Sequence, residues 1–144
     1  MKSLRSDELL ALPVRLHGIP LGRPTDLLLD REELKVVGLD IRCGDDVHRF
    51  LPLATAMVGD EEIGIRSPLV LLEEDERAFY EARTFGLASL RGVSVDLKGR
   101  REGTLHELVL WSDGTVTELV VDEDGRRIPF DGTVRIDFGS RTAA

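Results

Sequence analysis

Cys43 and His48 stand five positions apart on either side of a polar turn, where a thiol and an imidazole could serve as nucleophile and base. No third group that would orient the imidazole is identifiable from spacing. Cys43 also alternates with Val37, Leu39 and Ile41, which puts it on the apolar face of a strand, where a free cysteine behaves as a small hydrophobe. The structural reading of Cys43 outweighs the catalytic one. His17, His48 and His106 lie on separate elements without the paired close ligands of a zinc site. Asp122-Glu123-Asp124-Gly125 looks like the start of a calcium loop, but the twelfth position, a glutamate in such loops, is Thr133 here, and the stretch reads as a hairpin turn. No dinucleotide, phosphate-loop or nucleophile-elbow motif occurs. The reading is of a non-enzyme with no cofactor and no metal.

What remains is charge. Nineteen basic residues against 27 acidic ones leave a net charge of −8 and an isoelectric point near 4.9. Phosphate backbones are bound by clustered Lys and Arg, so this balance argues against direct nucleic-acid binding. The span 56–82 holds eight acids (Asp60, Glu61, Glu62, Glu73, Glu74, Asp75, Glu76 and Glu81) and only Arg66 and Arg77 as bases. Lys98, Arg100 and Arg101 gather near one turn, Arg126 and Arg127 near another. The bland reading is solvated surface. The sharper one is an acidic face that steers a basic protein partner.

At 144 residues, 42% apolar and with a mean hydropathy of −0.09, the chain reads as soluble and globular. A single cysteine cannot form an internal disulfide, and no apolar run reaches membrane-spanning length. The cytoplasm is the expected compartment, with no membrane insertion.

The elements that must carry these residues are mostly strands. Ser6-Asp7-Glu8 before Leu9-Leu10 predicts one capped helical turn, ended by Pro13. Val14-Arg15-Leu16 alternates as a short strand, 27–30 and 34–43 form strands around Arg31-Glu32-Glu33, and Gly44-Asp45-Asp46 is a hairpin loop. A strand closes the first part around Ile63 and Ile65, with Val134 and Ile136 in the second. The span 67–88 has no evident counterpart elsewhere. Within it 73–83 predicts a helix, with acids at its start, Ala78, Phe79 and Ala82 as its apolar stripe, Phe79 as its anchor, and Gly86 where a cap belongs. Asp113-Gly114, Asp124-Gly125 and Asp131-Gly132 are hairpin signals.

The chain also repeats itself. Residues 9–29 lie on 90–110 at a constant offset of 81 (90 − 9), with Gly22 on Gly103 and Asp26-Leu27-Leu28-Leu29 on Glu107-Leu108-Val109-Leu110. Val36, Leu39 and Ile41 then meet Val116, Leu119 and Val121, and Leu51-Pro52-Leu53 meets Ile128-Pro129-Phe130. The first copy reads Gly22-Arg23, Asp26-Leu27-Leu28-Leu29-Asp30, Val37-Gly38-Leu39-Asp40-Ile41 and Phe50-Leu51-Pro52-Leu53. This pattern resembles the PRC-barrel domain. The second copy departs from it, lacking the Arg after Gly103 and carrying Trp111 in place of Asp30. The resemblance implies an all-β protein of two tandem small PRC-barrel-like β-barrels joined by a short helical linker: 1–68, linker 69–87, 88–138, and a tail at 139–144.

PRC-barrels in the photosynthetic reaction-centre H subunit and in a ribosome maturation factor do not themselves catalyse. The resemblance therefore implies a protein-interaction or adaptor module. Its alternatives are a ribosome- or RNA-processing-linked assembly factor that contacts a basic protein, and a membrane-complex-associated protein. The expected contact residues are Asp60, Glu61, Glu62, Glu73, Glu74, Asp75, Glu76, Phe79 and Tyr80. Pairing of two copies stays open.

Overall fold

Alternating apolar side chains and turn residues divide the chain into mostly short strands, with α-helix confined, among the described residues, to three brief pieces. A computed structural model describes residues 3–131 and 133–136. In chain order the elements are β1 (Ser3–Arg5), α1 (Ser6–Leu10), β2 (Val14–Leu16), β3 (Ile19–Asp30), β4 (Val36–Cys43), β5 (His48–Pro52), β6 (Met57–Val58), β7 (Ile63–Ile65) and α2 (Glu74–Glu81). There follow β8 (Thr84–Gly86), α3 (Leu87–Leu90), β9 (Ser94–Leu97), β10 (Arg100–Trp111), β11 (Val116–Val121), β12 (Arg126–Pro129) and β13 (Val134–Ile136). The protein is all-β in class. The expected tail 139–144 and Gly132 of the Asp131-Gly132 signal lie outside the described residues.

Two sheets result. One runs β5-β4-β3-β2-β7-β6, with β8 also on β3; the other runs β12-β11-β10-β9-β13, with β1 also on β10. The long strands β3 and β10 are the axes of their sheets, and their bounds lie 81 residues apart (100 − 19 and 111 − 30). On β3, Leu28, Leu29 and Asp30 face Gly86, Phe85 and Thr84; on β10, Val109, Leu110 and Trp111 face Arg5, Leu4 and Ser3. Each of these pairs in one sheet has its partner in the other at the same offset of 81. The short strand that precedes each helical turn is therefore exchanged, β1 joining the later sheet and β8 the earlier one. Thr84–Gly86, which the sequence places in the connection, is a strand of the first sheet.

The sheets differ at the strand beyond β2 and β9. β7 lies parallel to β2, whereas β13 lies antiparallel to β9. The extra hairpin β6–β7 in the first part supplies the reason, since each hairpin reverses the chain.

Buried apolar residues from both sheets form one contiguous cluster, from Leu4 through Leu39 and Ile41 to Leu108, Leu119 and Ile136. β4 packs closely because Gly38 leaves room for the Phe50 ring, whose nearest atom would stand 2.2 Å from a Cβ at that position.

Ser6 departs from its expected role. Its hydroxyl does not cap α1; it accepts from the backbone N–H of Leu108 at 3.0 Å and donates to the buried carboxylate of Glu107. The end of α1 is held by Glu8, whose Oε1 accepts from the Arg5 N–H at 3.0 Å. The helix expected at 73–83 is shorter, and Gly86 is not its cap but part of β8.

Candidate functional site

The expected contact residues fall on two elements. Asp60, Glu61 and Glu62 are in the turn between β6 and β7, at one end of the strand order; Glu73 to Tyr80 begin and form α2, which packs on β5 at the other end. Glu62 reaches Arg15 at 3.8 Å, and Glu73 bonds Arg49 at 3.1 Å. The side chain of Glu74 lies outside the described residues. Asp75 and Glu76 are exposed and form no ion pair among the described residues.

The anchor of α2 is Tyr80, not Phe79. Tyr80 stacks on the buried Phe50 ring with centroids 4.2 Å apart, and β5 is held from the same side by hydrogen bonds between Phe50 and Leu72. Phe79 is 52% exposed, with the Arg83 guanidinium 3.6 Å over its ring. The reason lies in the helical stripe. Arg77, Tyr80 and Glu81 recur at helical spacing and turn toward the first sheet, so that side of the helix is largely polar, while Ala78, Phe79 and Ala82 are exposed. Leu72, Asp75, Glu76, Phe79 and Tyr80 line a shallow cleft of about 420 Å³ along the flank of the helix.

The polar inner face of α2 closes a larger cleft of about 770 Å³ over the first sheet, where Asp26, Asp40, Arg77, Glu81, Thr84 and Gly86 meet. Asp26 and Asp40 are direct cross-strand partners of β3 and β4, so alternation brings both carboxylates to one face. Asp40 Oδ2 accepts from the Thr25 hydroxyl at 3.0 Å and lies 2.9 Å from His48 Nδ1. Asp40 Oδ1 is buried and accepts no hydrogen bond; Arg77 Nη2 approaches it to 3.6 Å and turns instead to Glu81 at 3.1 Å. Asp26 Oδ1 accepts from the N–H groups of Leu27 at 2.9 Å and Ala88 at 3.1 Å, which ties the sheet to the start of α3. Its Oδ2 fits only because residue 86 is glycine: a Cβ there would stand 2.3 Å away. Burial raises the Asp26 carboxyl above its ordinary range, against the pull of those two N–H groups and of Arg91.

Cys43 and His48 are not brought together. Cys43 is 7% exposed on the face of Ile41, its sulfur 4.0 Å from the Ile41 carbonyl and beside Arg49. His48 lies opposite Arg42 in the β4–β5 register and bonds Asp40, a neighbour of the other alternation. The orienting acid sought for His48 thus exists, but on the side away from the thiol. Asp45, forked by both terminal nitrogens of Arg49 at 3.0 and 2.9 Å, is held down to about 2 by that guanidinium and by the Val47 N–H. Arg49 in turn is pushed up by Asp45, Cys43 and Glu73.

The remaining candidates are structural in their contacts. His17 sits at a turn with φ of 49°, and His106 offers its carbonyl to Arg91 at 3.2 Å. Asp122 is in the β11–β12 hairpin, where its carboxylate accepts from the N–H and hydroxyl of Thr104 at 2.9 and 3.2 Å. No helix among the described residues is long and apolar enough to cross a membrane. No protein-family model matches the sequence, and comparison with curated proteins finds no significant match.

Proposed function

We propose that this chain is a non-enzymatic protein-interaction module made of two tandem PRC-barrel-like halves, and that the outer face of α2 receives a basic segment of a protein partner. The two-half reading is supported by the offset of 81 that relates β3 to β10 and the pairs Leu29–Phe85 and Leu110–Leu4. The binding reading is carried by one observation: the half-exposed Phe79 ring, with Arg83 over one face, shares a cleft with two exposed carboxylates, Asp75 and Glu76, that form no ion pair among the described residues. An apolar step rimmed by unpaired negative charge matches an apolar side chain flanked by Lys or Arg.

The test is Asp75→Lys with Glu76→Lys, leaving Glu73 in place because it holds Arg49. Capture of host proteins by wild type and variant is compared at low and moderate ionic strength. The expected result is loss, in the variant, of basic proteins whose retention by wild type falls with salt. A folded variant with the same partners at both salts overturns the proposal.

A further inference from the structure

The cleft under α2 is one cation short. Three carboxylates, Asp26, Asp40 and Glu81, line it against a single guanidinium, Arg77, with the His48 ring behind Asp40. Asp40 Oδ1 is buried and accepts no hydrogen bond, although Arg77 approaches it to 3.6 Å, and half-buried Asp26 turns its Oδ2 over Gly86. A buried carboxylate oxygen without a hydrogen bond is costly, and nothing in the packing of β3 on β4 requires two acids in register.

The other sheet displays what fits there. Glu107 holds on β10 the place of Asp26 on β3, and its cross-strand partner is Val120 where Asp26 has Asp40. Glu107 is satisfied from within the chain: Arg91 Nη2 donates to it at 2.8 Å and the Ser6 hydroxyl donates as well. The residues 81 positions from Arg91 and Ser6 are Leu10 and Leu87, which donate nothing. One half therefore has one carboxylate with its arginine, and the other has a pair of carboxylates and an open cleft in place of that arginine.

We propose that the Asp26–Asp40 cleft is a socket for one guanidinium group, the side chain of an arginine on a protein partner. A guanidinium carries five donors in a planar fork, enough to serve Asp26 Oδ2 and Asp40 Oδ1 together. Directly opposed residues have Cβ atoms about 5 Å apart, a span that a fork can bridge and a single ammonium cannot serve equally well. The hydroxyls of Thr84 and Ser89 already bond the carbonyls of Tyr80 and Gly86, so they add little to the lining charge. The socket rests on the protein-binding reading only for the source of the arginine; it is a different surface from the outer face of α2.

The experiment titrates blocked arginine (N-acetyl-arginine methylamide) and its uncharged citrulline analogue into the isotope-labelled full chain. It follows the backbone amides of Leu27 and Ala88, whose N–H groups end on Asp26. Arginine should move both amides saturably, and citrulline should bind about tenfold more weakly, the loss expected when a charge-assisted hydrogen bond becomes neutral. Asp26→Asn keeps an oxygen for the two amides and removes the charge, and should weaken arginine by a similar factor of about ten. Equal effects of arginine and citrulline, or shifts confined to 75–79, overturn the socket without reference to any variant. The charge-reversal test on α2 can fail while this one succeeds, and the reverse.

Discussion

Leu4 faces Leu110 across an antiparallel pair, 106 positions away in sequence (110 − 4), and both side chains are buried. The contact exists because β1 leaves its own neighbours and completes the sheet of the other half. Leu4→Ala should cost about 2–3 kcal/mol, the usual loss for a buried leucine at a site that can partly collapse. The loss of protection in hydrogen exchange should be concentrated in 108–111. A cost below about 0.5 kcal/mol, the level of a surface change, would show that the exchange adds nothing to the fold.

The same exchange governs fragments. Residues 1–68 lack β8 and residues 88–144 lack β1, so each leaves part of its long strand unpaired. Neither fragment should unfold cooperatively by itself, and the intact chain should show one transition. Two sharp transitions in the separate fragments, each matching the whole chain, would contradict this.

Tyr80 and Phe79 provide a contrast within one helix. Tyr80→Ala removes the stack on Phe50 and should cost about 2–3 kcal/mol, combining lost area with a lost aromatic pair. Phe79→Ala should cost less than about 1 kcal/mol, since the ring is half exposed already. Denaturant midpoints of the two variants decide the order, and a larger effect at Phe79 would return the anchor to that residue.

Cys43→Ser puts a hydroxyl in an apolar strand face where the sulfur meets only the distant Ile41 carbonyl and Arg49, and should cost about 1–3 kcal/mol, with Cys43→Ala costing less. Native protein should react slowly with a thiol reagent near neutral pH. Fast labelling would mean that the strand opens there.

Asp26 allows a test by pH. Its carboxyl is raised in the folded chain, so the stability linked to its protonation is fully present below the unfolded value near 3.8 and is lost as pH rises through the folded one. Asp26→Asn should then melt slightly above wild type at neutral pH, with the difference shrinking as pH falls through the raised folded value and gone below 3.8. A variant less stable at neutral pH would make Asp26 a structural acid like Glu107, rather than one retained for a ligand.

β4 and the last third of β3 were legible in the sequence because their apolar pattern is regular, and Gly22 and Gly103 agree at one offset; the rest of β3 was not, because Pro20, Gly22 and Pro24 break the pattern and read as turn. The exchange of β1 and β8 was not. Three-residue strands carry too little pattern to set register, and Leu4 and Phe85 would each fit either slot by size and polarity. Asp40 read only as a polar-face residue; writing out the hairpin register, which puts His48 opposite Arg42, would have placed the imidazole on its side of the strand. The stripe through Arg77, Tyr80 and Glu81 escaped because hydropathy marks apolar faces, and this helix docks mainly through polar groups and one ring. Gly86 was read from a rule about helix ends, although its use is to leave space for a carboxylate.

The pairing of Ser3 with Trp111 bears on how the chain is made. Synthesis delivers β1 first, yet its place is not present until 108 further residues have been added (111 − 3). The first sheet in turn waits for Thr84–Gly86, so neither sheet is complete while the nascent chain is short. Contacts this distant in sequence slow folding, because the intervening loop must be ordered before it is rewarded. On the ribosome the unpaired flanks of β3 and the apolar Leu4 and Leu9 stay open to other chains until residues 84–86 and 109–111 have been made, and this is the interval in which the protein would most need a chaperone.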